Sequence, residues 1–210
     1  VDDYGNYQYV DITAPACSQI ITELYMMYRN EWELSKEAAQ ALYVGITTDT
    51  GRFKFDSVNS RTFHAAAVLL DAGVDLGYID NKLSVESLNT LKLKGHILSN
   101  FKMTDHGFAY AKLTRKEVES FGVSYEDAAA QVSTISTIED CPVWALFLEY
   151  SEEEIRVRLR SRGPVINLLA EQYHGGGHAK ASGATLYNWD ELEGFVYKAD
   201  ELVKKYKSAK

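Results

Sequence analysis

The sequence predicts an α/β protein in two parts: a helical first portion, then an α+β portion with a sheet, the two joined by a long helix. Two observations carry this reading. Up to about residue 100 the apolar residues recur at helical spacing, and at Phe101 the pattern changes to alternation. From there strand-like runs interleave with capped helical ones, as in a mixed fold. The 210 residues, 46% of them hydrophobic and 25% charged, suffice for two cores and exclude disorder for most of the chain. The 22 Lys and Arg stand against 30 Asp and Glu, a net charge of −8, so a broad electrostatic grip on a nucleic-acid backbone is excluded and any phosphate-binding surface must be local.

Taken in order, Pro15 followed by Ile20, Ile21, Leu24 and Met27 predicts a helix over about 15–29. Ser35 is placed to cap a second helix, Lys36 to about Ile46, which runs into the polar loop Thr47-Thr48-Asp49-Thr50-Gly51-Arg52-Phe53. Ser60 opens a third helix and Gly73 stops it; Ser84 to about Asn100 reads as a longer bridging helix. Phe101–Thr104 and Phe108–Ala111 flank an Asp-x-Gly turn, a hairpin signal that begins the second part. Thr114-Arg115-Lys116-Glu117 is a capping box, Gly122 a stop, and Ser124 caps a helix near 125–137. Val143–Tyr150 and Ile155–Arg160 predict a hairpin across an acidic turn, Val165–Tyr173 a helix, Ala181–Tyr187 a strand, and Asp190 to about Tyr206 a final amphipathic helix. The parts expected are thus 1–83, a linker helix at 84–100, and 101–210.

Cys17 and Cys141 stand in no metal-ligand spacing and read as reduced thiols. No apolar run reaches the roughly 20 residues of a membrane span, and no signal-peptide pattern opens the chain, so no membrane association and a cytoplasmic location are expected.

Three features could carry chemistry. Gly175-Gly176-Gly177-His178 reads either as a loop whose bare backbone approaches a phosphate or as a flexible turn with an incidental histidine. Arg156, Arg158 and Arg160 alternate with Ile155, Val157 and Leu159 and so share one strand face. That row is either an anion site or a solvated face paired with Glu152–Glu154, with Arg160, at the strand's end, the best placed for a ligand. Asp49 is either a metal-binding carboxylate or a loop cap. His64, His96 and His106 read as structural or surface residues.

Leu42-Tyr43-Val44-Gly45-Ile46-Thr47-Thr48-Asp49-Thr50-Gly51-Arg52-Phe53, then Arg158-Leu159-Arg160-Ser161 and Gly175-Gly176-Gly177-His178-Ala179-Lys180-Ala181-Ser182-Gly183, resemble the DHH/DHHA1 phosphoesterase superfamily over nearly the whole chain. The likeness is nearest to its small bacterial members of the nanoRNase and pAp phosphatase type. The resemblance implies the last part of a DHH catalytic α/β domain joined to a complete DHHA1 domain with a mixed sheet. It implies a manganese-dependent hydrolase of pAp, pApA or RNA of two to five nucleotides, with Asp49 as catalytic metal ligand and Arg160, Gly175, Gly176, Gly177 and His178 binding substrate. It is compatible with a homodimer. The family's Asp-x-Asp and Asp-His-His motifs are absent, so Val1 is expected to follow the latter, and the chain alone is expected to bind but not cleave, one carboxylate being too few for a two-metal site. The alternatives are a non-catalytic nucleotide-binding module and an RNA-binding appendage.

Overall fold

A computed structural model describes residues 5–209; Val1, expected to follow the Asp-His-His motif, lies outside them. The chain divides after Val85 into two compact units.

The first unit is helical: α1 (Cys17–Tyr28), α2 (Lys36–Asp49), α3 (Ser60–Asp71) and α4 (Leu76–Ser84), with no strand among its described residues. Ala39 and Ile46 of α2, Ala65 and Leu69 of α3, Val74 and Ile79 form its core. Ser35 caps α2 through the Ala38 amide, as its hydroxyl predicts. The cap of α3 is Asn59 rather than Ser60, in a reciprocal box with Thr62. The short α4, capped by Asp75, buries Ile79 alone and has too little periodicity to announce itself. Arg61 joins Asp11 and Glu23 at 2.7 and 2.6 Å, holding the segment before α1 to α3.

The second unit is a three-layer sandwich. It runs α5 (Leu88–Asn100), β1 (Lys102–Met103), β2 (Phe108–Leu113), α6 (Arg115–Ser120), α7 (Tyr125–Ala130), a 3-10 turn at Gln131–Ile135, β3 (Val143–Ser151), β4 (Glu154–Ser161), α8 (Asn167–Glu171), β5 (Gly176–His178), β6 (Ala181–Leu186) and α9 (Glu191–Ser208). The strands form one mixed sheet in the order β1-β2-β3-β4-β6-β5, with β2 and β3 parallel and every other pair antiparallel. One face packs Phe108, Phe147, Val157 and Leu186 against α8 and α9. The other packs Ala111, Trp144, Leu146 and Leu148 against α5, α6, α7 and the 3-10 turn. The helix read as a bridge therefore belongs to this unit: it starts at Leu88, is capped by Ser87, and buries Leu93 and Ile97 under the sheet. Cys141 is buried and Cys17 exposed, both as free thiols. No helix among the described residues is long and apolar enough to cross a membrane.

The helices on that second face lie over β3, with α7 and the 3-10 turn reaching only to the near side of β4. Beyond them the same side of β4, β6 and β5 lies open, and there the alternation of β4 sends its arginines.

Candidate functional site

Asp49 is not in a loop. It is the last helical residue of α2, because Gly51, in the left-handed region at φ 56°, turns the chain back so that its amide bonds to Thr48 O and that of Arg52 to Thr47 O. This is the double bond of a Schellman stop, which spends the last carbonyls of the helix and needs glycine at the turn. Arg52 and Phe53 continue in the left-handed region, both at φ 60°. Arg52 is anchored by donating to Leu83 O at 2.7 Å and Ser84 Oγ at 3.0 Å, which caps the end of α4. Asp49 is exposed, and no hydrogen bond or ion pair engages it among the described residues. It sits at the negative end of a helix dipole, where a carboxylate is disfavoured and a cation welcome. Among the described residues no three His, Cys, Asp or Glu side chains converge as metal ligands. One carboxylate does not fit a two-manganese centre, whose paired ions each need several ligands.

On the second unit, Arg156, Arg158 and Arg160 stand on one face of β4, above a cleft of about 400 Å³ whose far wall is Tyr125, Glu126, Ala129 and Ser133. The three differ. Arg156 is neutralised by Glu154 at 2.8 Å and lies over the Tyr150 ring at 3.6 Å, the paired state that the acidic turn allows. Arg158 and Arg160 have no carboxylate partner among the described residues. Arg160 donates to the Leu159 carbonyl at 2.9 Å, and its pKa is lowered, by burial first and then by the like charge of Arg158. A half-buried cation beside a second cation, with no counter-ion, is unfavourable until an anion joins it.

The last three residues of the glycine tetrad form an edge strand, not a loop, with Gly175 just before it: β5 pairs with β6 through Gly176–Gly183, Gly177–Ser182 and His178–Ala181. Partners across an antiparallel ladder point to one face. The rows Arg158–Gly183–Gly176 and Arg160–Ala181–His178 therefore bring Arg160 and His178, two of the expected binding residues, to the same open face. The glycines are not equivalent. A Cβ on Gly175 would lie 2.0 Å from Gly183 O, and one on Gly177, at φ 133°, 2.7 Å from Ala181 O, so both are demanded by close strand packing. A Cβ on Gly176 would meet nothing within 4 Å. Asp49 belongs to the other unit.

One histidine of this face escapes the sequence reading. His174 is in the left-handed region at φ 53°, its ring 5.0 Å from that of Tyr187, and it lines a cavity of about 230 Å³ with Arg158 and Gly183. Its place directly before the glycines is the only signal the sequence offers. His106 bonds Asp200 at 2.7 Å, and His96 lies 3.5 Å from Glu117, both structural placements. His64 is exposed.

Residues 105–205 match the DHHA1 domain family. The chain is 37% identical over 206 residues to the bifunctional oligoribonuclease and PAP phosphatase NrnA of Bacillus subtilis (strain 168), covering 98% of this chain and 66% of that protein. It is 36% identical over 203 residues to the probable bifunctional oligoribonuclease and PAP phosphatase NrnA of Streptococcus mutans, 97% of this chain and 65% of the relative. The chain thus spans slightly under two thirds of the length of both. A crystal structure of an exopolyphosphatase-related protein from Bacteroides fragilis superposes with a TM-score of 0.81 at 30% identity, covering 94% of this chain and 58% of that one.

Proposed function

Because the chain belongs to the DHH/DHHA1 phosphoesterase family, we propose that it is part of a hydrolase that converts short oligoribonucleotides, pApA or pAp to nucleoside 5′-monophosphates, and that its second unit holds the nucleotide. The observation that carries this reading is the pair Arg158 and Arg160, unpaired on the face where His178 also projects. Arginine offers a planar fork that fits a phosphate with two parallel hydrogen bonds and keeps its charge when buried. Arg160 takes the terminal phosphate, its guanidinium already steered by the Leu159 carbonyl. Arg158, two residues along an extended strand and so ~6.6 Å away, takes a neighbouring phosphate. His178 donates from the adjoining row. The names of the longer relatives, oligoribonuclease and PAP phosphatase, match ligands with a phosphate at one end and a base at the other.

Metal chemistry stands apart from this unit. Manganese is the ion the family resemblance implies, and it would supply the activated water for phosphoester cleavage. In this chain Asp49 alone faces that role, so binding without turnover is expected.

Titration calorimetry of the chain with pApA and AMP, without added metal, tests the reading. Binding that weakens at least about tenfold in Arg160→Ala and in His178→Ala supports it. Wild-type binding that both variants retain would remove those residues from the site, and turnover of pApA by the chain with manganese would overturn the expectation of binding alone.

A further inference from the structure

Resting on that reading, we infer that the nucleobase of the bound nucleotide lies flat on the peptide floor formed by Gly183 and Gly176, making these two glycines determinants of preference for nucleotides over bare sugar phosphates. In the row Arg158–Gly183–Gly176 the only side chain on the open face is the guanidinium at one end. A Cβ added to Gly183 would meet nothing nearer than Val157 O at 3.4 Å, and one added to Gly176 nothing at all within 4 Å, so no protein group fills the space above either. Neither residue has a positive φ, so neither is glycine for the sake of backbone conformation. In a strand interior a glycine is disfavoured relative to a residue with a side chain, and it persists where another group must approach closely.

The cavity at the Gly183 end of this floor, lined by Gly183 and Gly175 with His174, Thr185, Arg156 and Arg158, measures about 230 Å³, a volume for one ring system rather than a large ligand. Its chemistry selects the ring. The N–H and C=O groups of paired strands lie in the plane of the sheet and are directed at their neighbours, so the face itself offers flat peptide groups and few donors. A phosphate gains little there and finds its donors at Arg158 and Arg160 beside it. A flat base gains dispersion contact over the whole floor, with the His174 ring at its border.

The experiment compares AMP with ribose 5-phosphate, which keeps the phosphate and sugar but lacks the base, on the 210-residue chain and its variants. The wild-type chain is expected to bind AMP at least about tenfold more tightly, in line with the stacking of a single base. Gly183→Val fills the space over the floor. It should bring AMP down to the affinity of ribose 5-phosphate, leave the latter within about twofold, and leave the melting temperature unchanged or raised. Gly176→Ala serves as the second variant, with the same sign and a smaller effect, should valine disturb the fold. A folded Gly183→Val that keeps the advantage of AMP would overturn the floor while leaving the phosphate-holding reading intact, as would equal loss of both ligands. Failure of the wild-type chain to bind either ligand would sink both readings together.

Discussion

At the scale of single residues, the second unit separates glycines kept by the fold from glycines that leave space. Gly175→Ala places a methyl group 2.0 Å from Gly183 O and 2.6 Å from the Ala184 Cα, both backbone. It should destabilise the unit by about 2–4 kcal/mol, read as a lowered denaturation midpoint with an unchanged slope. Arg160 carries the opposite sign. Burial and the neighbouring Arg158 lower its pKa, so the folded protein bears an unpaired charge that a neutral residue relieves. Arg160→Gln should leave stability unchanged or raise it by under ~1 kcal/mol while abolishing the stabilisation that added AMP gives the wild type, a separation visible in melts with and without ligand. Sequence spacing exposes the arginine row because a period of two is a local property. It cannot rank the arginines, since the partner of Arg156 and the lack of one at Arg158 are settled by side-chain placement. Nor can it separate Gly175 from Gly176, because what each Cβ would meet lies on another strand.

At the scale of elements, the capped helices are the most legible. Thr114 and Glu117 form the reciprocal box their spacing predicts, and Gly122 ends α6 at φ 64°. Thr114→Ala should cost about 1 kcal/mol in chemical denaturation. The end of α2 is harder to read because Thr47, Thr48 and Asp49 are weak helix formers; the fold keeps them helical through the stop at Gly51 and burial of Ile46 and Thr47. The parallel pairing of β2 with β3 has no local signature, as it joins strands separated by α6, α7 and the 3-10 turn. The turn between β1 and β2 is tied to α9 through Asp200. Burial works against ionisation of this carboxyl, yet hydrogen bonds from the Thr104 hydroxyl and from the ring and amide of His106 outweigh it and lower its pKa. A carboxyl with a depressed folded pKa stabilises above its unfolded value, ~3.9, and that stability is lost as pH falls through the folded value. Asp200→Asn should therefore be less stable than wild type near neutral pH, with the difference shrinking below about pH 4 in melts across that range.

At the scale of the molecule, the two units have separate cores, and the candidate binding face lies wholly within the second. Residues 86–210 produced alone should melt cooperatively and bind AMP with the affinity of the full chain to within about threefold; a non-cooperative melt would show that the sandwich needs the first unit. The change of period at Phe101 locates the sheet but not the start of its unit, since α5 is helical like everything before it and only its packing assigns it. The order of the strands has a consequence in time. Only Glu152 and Glu153 separate β3 from β4, and such a hairpin closes in about 1–10 μs. The pairs β1–β2 and β5–β6 are local too, but β2 with β3 and β4 with β6 must be brought together from more distant parts of the chain, which is slower. Arg156, Arg158 and Arg160 are thus aligned in a refolding chain before β6 and β5 arrive to lay the floor beside them, so a polyanion encountering the young protein meets a row of cations before any pocket exists to select its bases.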